Sequence, residues 1–469
     1  MLFPTFDFLL FFTAVAVGLA LLAGRHSQQK LLLVAASYFF YAQWNWTFCF
    51  LLAGSSALTW LGGLALERQA GARAKKRVVG VVIGLHLLVL GAFKYYDFFV
   101  GSANDLARLL KIERELPFIE IILPVGISFF TFHGISYIVD VYRREVAVCR
   151  NPVDVLLYLS FFPQLVAGPI VRAAFFLPQL YAARRAPIML TPAVVLILGG
   201  LFKKVVLASF LATELVDPVF FDPTRFNGVD LMLAMYGYAA QIYCDFSAYS
   251  DMAMGLAALM GYRFPANFDQ PYRAQRLRDF WRRWHISLSS WLRDYLYKPL
   301  GGSRHGTLRT GMALSLTMLL GGLWHGAAWK FIAWGAMHGT GLIIERALLP
   351  FIGERSRSVL GRVISVLIVF HLVCVAWIFF RADSFATAWG YLGQILTFTG
   401  ELDRTSLFTV GLVFVALALH AIPRGSSRRV AEALEPWPRW ALGALAGVAV
   451  VGIDALGPDG VAPFIYFQF

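Results

Sequence analysis

Charge is what this chain of 469 residues has least of: only 15% of its positions are Asp, Glu, Lys or Arg, against 58% hydrophobic. A soluble domain carries about a quarter charged residues, so lipid rather than water is the expected solvent. No extended polar block interrupts the apolar runs that recur between residues 5 and 456. A length that would hold about three soluble domains is therefore read as one polytopic membrane domain over residues 1–469. Cysteine is scarce too. Cys49, Cys149, Cys244 and Cys374 stand alone, without C-x-x-C spacing, and three of them sit inside apolar runs. Neither a disulfide framework nor a zinc site is expected. Lys and Arg are absent before Arg25, and Asp7 opens the first apolar run, so the basic start of a signal peptide is missing and the first segment is expected to be retained. No internal repeat of the kind that builds duplicated transporters is visible.

What charge there is leans positive, with 41 Lys and Arg against 28 Asp and Glu. These residues fall in short clusters between apolar stretches, the pattern of cytoplasmic loops, and nucleic acid is not an expected partner. Arg25 to Lys30 mark a first inside loop and Arg68 to Arg77 a second, which requires two crossings between Leu31 and Leu66, divided at Gln43-Trp44-Asn45-Trp46. Val78 to Val100 then runs outward, a short polar stretch follows from Asn104 to Glu115, and Ile119 to Val141 returns to Arg143, Arg144 and Arg150; the N-terminus is expected outside.

Between Val153 and Arg185, Pro163, Gly168, Pro169 and Pro178 break the apolar run and Arg172, Arg184 and Arg185 crowd it, so a re-entrant segment lodged in protein is expected. Pro192 to Leu211 and Leu231 to Met260 read as membrane helices, the first with Lys203 and Lys204 snorkelling toward an interface. Gly311 to Leu323, Ala328 to Leu348, Val363 to Phe380, Leu407 to Ile422 and Trp440 to Ile453 complete an all-α integral membrane protein. At roughly 20 residues per span this makes about eleven transmembrane or re-entrant helices.

Chemistry concentrates in three places. The first is Gly321 to Trp329 (GGLWHGAAW), where His325 sits among small and aromatic residues. At roughly 1.5 Å per residue it lies about 24 Å along a helix from Arg309, deep enough for an ionisable group to be costly and usually functional. A buried neutral imidazole suits a general base. The bland reading is a hydrogen bond across a helix interface. His338, within Gly335-Ala336-Met337-His338-Gly339, is read as packing, since small-xxx-small spacing brings helices close.

The second place is Phe280 to Tyr295, which holds Arg282, Arg283, His285 and Ser289 among five aromatic residues of an amphipathic cytoplasmic face. Its composition suits an interface segment. His285 and Ser289, four apart, are expected on one helical face. The surrounding stretch from 263 to 309 is the most basic in the chain, and its arginines would attract the phosphates of a coenzyme A thioester. The third is Tyr243 to Asp251, where Asp245 and Asp251 lie inside an apolar run and demand partners, either nearby arginines as a structural lock or a proton path. His26, His86 and His133 have no partner pattern and are left without a role.

Eight blocks in order resemble the membrane-bound O-acyltransferase family, in its bacterial exopolysaccharide branch: Leu31 to Tyr41, Leu123 to Tyr142, Phe161 to Ile170, Gln241 to Gly255, Trp284 to Gly302, Gly321 to Trp329, Trp377 to Ala386 and Pro463 to Phe469. The resemblance implies membrane helices around a central funnel in a bacterial inner membrane. It implies transfer of acetyl groups from cytoplasmic acetyl-CoA, without metal or cofactor, for alginate-type O-acetylation of an exported polysaccharide. A separate periplasmic acetyltransferase protein is the implied partner, with membrane lipids around the chain. It places the catalytic histidines at His325 and His285. Beside them, Ser289, Trp324, Arg282, Arg283 and Asp245 are the candidate substrate contacts, the two arginines by charge and position. His325 then acts as general base, or carries the acetyl group covalently. Two alternatives stay open: an export channel for a lipid or glycan, and an acyltransferase acting on cellulose, teichoic acid, a lipid or a protein.

Overall fold

In the computed structural model, which describes residues 3–112, 115–182, 188–352, 358–397, 405–458, 460 and 462–465, every regular element among the described residues is helical. Two compact units emerge, one made of Met1–Ile188 with Ala257–Phe264 and the other of Met189–Leu256 with Pro265–Phe469.

The first unit opens with α1 (Phe6–Leu21), started by Thr5, whose hydroxyl accepts from Phe8 N–H. The expected pair of crossings appears as α2 (His26–Ala42) and α3 (Phe48–Arg68), parted by the exposed Trp44 and Trp46. α4 (Ala72–Lys94) starts six residues before the expected Val78 and stops at Lys94, and part of the predicted polar stretch is helix, α5 (Tyr96–Leu109). The return crossing is also shorter than predicted. α6 (Ile127–Arg143) begins only at Ile127, because Gly126 takes φ of 77° and a Cβ there would lie 2.5 Å from the Leu165 carbonyl oxygen. The two residues between Pro124 and Ile127 leave no room for a helical lead-in.

The predicted re-entrant stretch breaks into three short helices, α7 (Pro152–Ser160), α8 (Phe162–Leu165) and α9 (Ala173–Tyr181), none long enough to span a bilayer. They are held inside the unit. Tyr158 donates its hydroxyl to Val171 O, Gln164 Nε2 donates to Tyr158 O, and the Phe162 ring meets Phe8, Phe11 and Phe40 at 6.3, 5.3 and 5.8 Å. Their broken backbone is thereby kept from lipid, as the hydrocarbon region requires. Arg184 and Arg185 lie outside the described residues.

In the second unit α10 (Leu190–Phe202) runs on through two π-helical stretches, Lys203–Ser209 and Ala212–Val216, into α11 (Asp217–Phe221). α12 (Gly228–Leu259) packs beside it, followed by the short α13 (Leu277–Arg283) and α14 (Ile286–Leu292). α15 (Gly306–His325), α16 (Trp329–Ile352), α17 (Val359–Arg381), α18 (Phe385–Leu396), α19 (Leu407–Ala418), α20 (Ser426–Leu434) and α21 (Arg439–Leu456) complete it.

The π turns change the meaning of the adjacent lysines. A π turn adds a residue to the turn, and both ammonium groups here meet α12. Lys203 Nζ bonds Asp251 Oδ2 at 2.7 Å and Ser247 Oγ at 2.8 Å, and Lys204 Nζ pairs with Asp245 Oδ1 at 2.7 Å. The snorkelling predicted for them does not occur, because the intramembrane carboxylates of α12 outcompete a distant interface. The lock expected around Asp245 exists, with lysines in place of arginines. Asp245 Oδ2 also accepts Ile465 N–H at 2.9 Å, tying down the C-terminal segment.

Among the described residues, five helical stretches are long and apolar enough to cross a membrane: Phe48–Arg68, Ala72–Lys94, Leu190–Phe221, Val359–Arg381 and Arg439–Leu456. The pair Leu407–Ala421 and Ser426–Leu434, bent by 85°, raises the number to six. Length and composition alone thus stop short of the expected eleven. Helices such as α6 and α12 bury His133, Asp140, Asp245 and Asp230 and so carry less apolar sequence than a lipid-facing span. The chain is a multi-pass membrane protein.

Candidate active site

The centre of the second unit is built by a close helix pair. A Cβ on Gly322 of α15 would stand 2.1 Å from Phe331 O, and one on Gly335 of α16 2.3 Å from Met318 O. Glycine at both positions lets the backbones touch, which is what the small-residue spacing predicts. α15 ends at His325, and Gly326 continues in extended backbone with the Phe331 ring lying where a side chain would otherwise stand.

This turn carries His325 into an aromatic enclosure. The imidazole is 5% exposed, and its centroid lies 4.9 Å from Trp324, 5.0 Å from Trp334 and 5.2 Å from Phe380, all near perpendicular. Trp334, fully buried, stacks on Trp377 at 5.7 Å and meets His338 at 4.7 Å. His338 packs flat against Phe280 and edge-on to Trp281, in keeping with its packing role, although its Nε2 has no hydrogen-bond partner.

His285 arrives from a different direction. It caps α14 in the left-handed region, with φ of 43°, and is 0% exposed. Its ring meets Phe246 edge-on at 4.5 Å and Trp324 at 6.1 Å, so Trp324 touches both predicted histidines. Its Nδ1 lies 3.2 Å from Asn267 Oδ1, while Nε2 is buried with no hydrogen-bond partner among the described residues. Asn267 is a site residue that pattern reading missed: it follows Phe264-Pro265-Ala266 in a stretch without periodicity, and only the fold places it against His285.

The remaining predicted residues divide. Ser289 does not join His285 in a shared polar face, because His285 precedes the helix in left-handed backbone and the Ser289 hydroxyl donates to Trp284 O at 2.9 Å. Asp245 is held by Lys204 and Ile465 N–H, so as a substrate contact it is displaced by a structural ion pair. Arg282 is exposed. Arg283, by contrast, lines a cavity of about 320 Å³ with Arg273, Arg424, Gln270 and Gln275. Arg424 holds Asp269 in a two-pronged pair at 2.8 and 2.7 Å, and Arg283 Nε lies 3.0 Å from Asp279. The sequence signal for Arg273 and Arg283 was the basic run from 263 to 309. Arg424 came from a separate cluster and gave no sign of joining it.

The enclosure offers two buried imidazoles that share contact with one indole, among aromatic walls. Such a site suits proton transfer at a hydroxyl or thioester, where water would hydrolyse the acyl group.

Comparison with known proteins bears on what that chemistry serves. The family model for membrane-bound O-acyltransferases matches residues 119–381, the stretch that contains both histidines. The probable alginate O-acetylase AlgI of Azotobacter vinelandii is 38% identical over the full length of both chains. That of Pseudomonas aeruginosa is 41% identical over 90% of this chain and 82% of its own. The peptidoglycan O-acetyltransferase of Helicobacter pylori is 36% identical over 76% and 72%.

Proposed function

The chain belongs to the membrane-bound O-acyltransferase family and is an acyltransferase, and from that premise we propose that it moves acetyl groups from cytoplasmic acetyl-CoA for alginate-type O-acetylation of an exported polysaccharide. The observation that carries the reading is the placement of His325 at the end of α15, buried among Trp324, Trp334 and Phe380, with His285 also in contact with Trp324. The similarity to the probable alginate O-acetylases of Azotobacter vinelandii and Pseudomonas aeruginosa supports the acetyl group and the alginate acceptor.

In this mechanism His325 removes the proton of an attacking hydroxyl. The oxygen forms a bond to the thioester carbonyl carbon, the C–S bond breaks, and the proton passes on to the departing thiolate. Arg273, Arg283 and Arg424 suit the donor end, since guanidinium groups match phosphate oxygens in forked pairs and the cavity they line opens beside α13, one residue from the His285 segment. A separate periplasmic acetyltransferase protein receives the acetyl group beyond the bacterial inner membrane and completes its delivery.

The test is polymer acetylation in cells carrying His325→Ala, His285→Ala or His338→Ala, with membrane levels of each variant measured. Normal amounts of His325→Ala protein with an unacetylated polymer support the reading. Persisting acetylation makes His325 a packing residue and removes the mechanism.

A further inference from the structure

The hydrogen bonds around Asn267 settle where the His285 proton resides. Asn267 is buried, and its Oδ1 lies 3.1 Å from Ser287 N, 2.9 Å from Ser287 Oγ and 3.2 Å from His285 Nδ1. Its Nδ2 donates to Ser250 Oγ at 3.1 Å. A backbone N–H only donates, so the atom facing Ser287 N must be the amide oxygen; a flipped amide would set two donors against each other. That oxygen only accepts, and His285 Nδ1 therefore carries the hydrogen that points at it. The competing arrangement, with Ser287 Oγ donating to a bare Nδ1, has the longer separation of 3.4 Å and would press the Nδ1 lone pair against the amide oxygen at 3.2 Å. With the hydrogen on Nδ1, the lone pair sits on Nε2, the atom that is buried without a hydrogen-bond partner. Asn267 O also accepts Ile286 N–H at 2.9 Å, so one residue fixes both the imidazole and the left-handed turn that presents it.

We propose that Asn267 is a positioning residue that locks His285 as the Nδ1–H tautomer, so that Nε2 accepts a hydrogen bond from a hydroxyl of the acyl acceptor. The inference rests on the acyl-transfer reading above and goes further, because it assigns His285 to the acceptor and not to the donor. The acyl group of a thioester offers a carbonyl oxygen and a sulfur, both acceptors, and neither matches a lone pair. The acceptor brings hydroxyl donors, one of which can bind Nε2 while the attacking hydroxyl surrenders its proton to His325. No bond is made or broken at His285; it holds the acceptor.

Three variants of the full chain, assayed for acetyl transfer from acetyl-CoA in host membrane preparations, test this. Asn267→Ala is expected to lose about 10- to 100-fold in turnover, as removal of an imidazole's orienting partner commonly does, with the KM for acetyl-CoA near wild type. Asn267→Asp keeps the accepting oxygens and is expected to recover most of the rate, while the acid limb of its pH profile moves to higher pH because a carboxylate favours the imidazolium. His285→Gln, whose amide can present an acceptor, is expected to retain more activity than His285→Ala. An unchanged rate and pH profile in both Asn267 variants, or a loss that appears in the KM for acetyl-CoA alone, overturns the proposal. His325→Ala in the same membranes separates the two failures: an active His325→Ala sinks the acyl-transfer mechanism, whereas an inactive one beside unaffected Asn267 variants sinks only the tautomer lock.

Discussion

Lys204 and Asp245 give the strongest energetic prediction. The two side chains are 5% and 2% exposed, 2.7 Å apart, and joined by a carboxylate that also accepts Ile465 N–H. Replacing Lys204 by Met leaves a buried carboxylate with one backbone donor, and breaking such a pair from one side costs about 3–5 kcal/mol. Replacing Asp245 by Leu strands the ammonium instead and releases the C-terminal segment, with a loss of the same order. The double variant removes both charges, and a well-packed apolar pair in place of a buried ion pair is often neutral; it should lack only the Ile465 contact and the 3.4 Å bond from Lys204 Nζ to Pro463 O, worth about 1 kcal/mol each. The double variant is therefore expected to be more stable than either single one. In thermal unfolding of the detergent-solubilised chain, followed by tryptophan fluorescence, each single variant should melt about 10 °C below wild type and the double variant within a few degrees of it. The neighbouring Lys203–Asp251 pair is an internal control, because its side chains are 14% and 28% exposed and Lys203→Met should cost distinctly less. Single variants as stable as wild type, or a double variant whose loss equals the sum of the two, refute the account of a coupled buried pair.

Three further outcomes follow from the site. Gly335→Ala forces a methyl onto Met318 O, so a loss of about 1–3 kcal/mol and a fall in acetylation are expected in thermal unfolding and polymer assays. Arg273→Ala and Arg424→Ala should raise the KM for acetyl-CoA more than they lower kcat, with wild-type binding weakening as salt rises; a change confined to kcat contradicts a donor-phosphate cavity. Ser289→Ala should leave acetylation within about twofold, since its hydroxyl serves only the Trp284 carbonyl, and a tenfold loss in the polymer assay would restore it as a substrate contact.

Much of this arrangement was legible in the sequence where a single element carries it. The two crossings divided at Gln43 to Trp46, the buried break between Val153 and Tyr181, and the close α15–α16 pair all follow from local composition: tryptophans at a turn, prolines in an apolar run, glycines four apart. His325 was visible because one ionisable residue in an apolar tract is costly. What was not legible depends on backbone that leaves the helical period. The late start of α6 follows from a left-handed glycine and its neighbour Leu165, which is distant in sequence. The π turns at Lys203 removed the premise on which snorkelling was predicted. The left-handed His285 likewise broke the four-residue spacing that placed Ser289 on its face. Asn267 and Arg424 matter through contacts with residues 18 and 155 positions away, which no window of sequence contains.

The buried polar groups of the second unit fall into two kinds, and the difference follows from their hydrogen-bond completion. Lys203, Lys204, Asp245 and Asp251 answer one another at 2.7 Å and need nothing from outside the chain. Each desolvated charge there has its counter-charge, so the cost of burial is met inside the fold and the groups act as structure. His285 is satisfied at Nδ1 and unsatisfied at Nε2. A fold that spends a left-handed residue and a buried amide to orient one imidazole, and then leaves its other nitrogen bare, is arranged for a ligand that brings the missing donor. Incompleteness alone is not enough to identify such a site, since His338 Nε2 is also bare. His338 differs in lying within the regular helix α16, flat against Phe280. The pairing of an oriented ring with an unmet lone pair is what separates His285 from it.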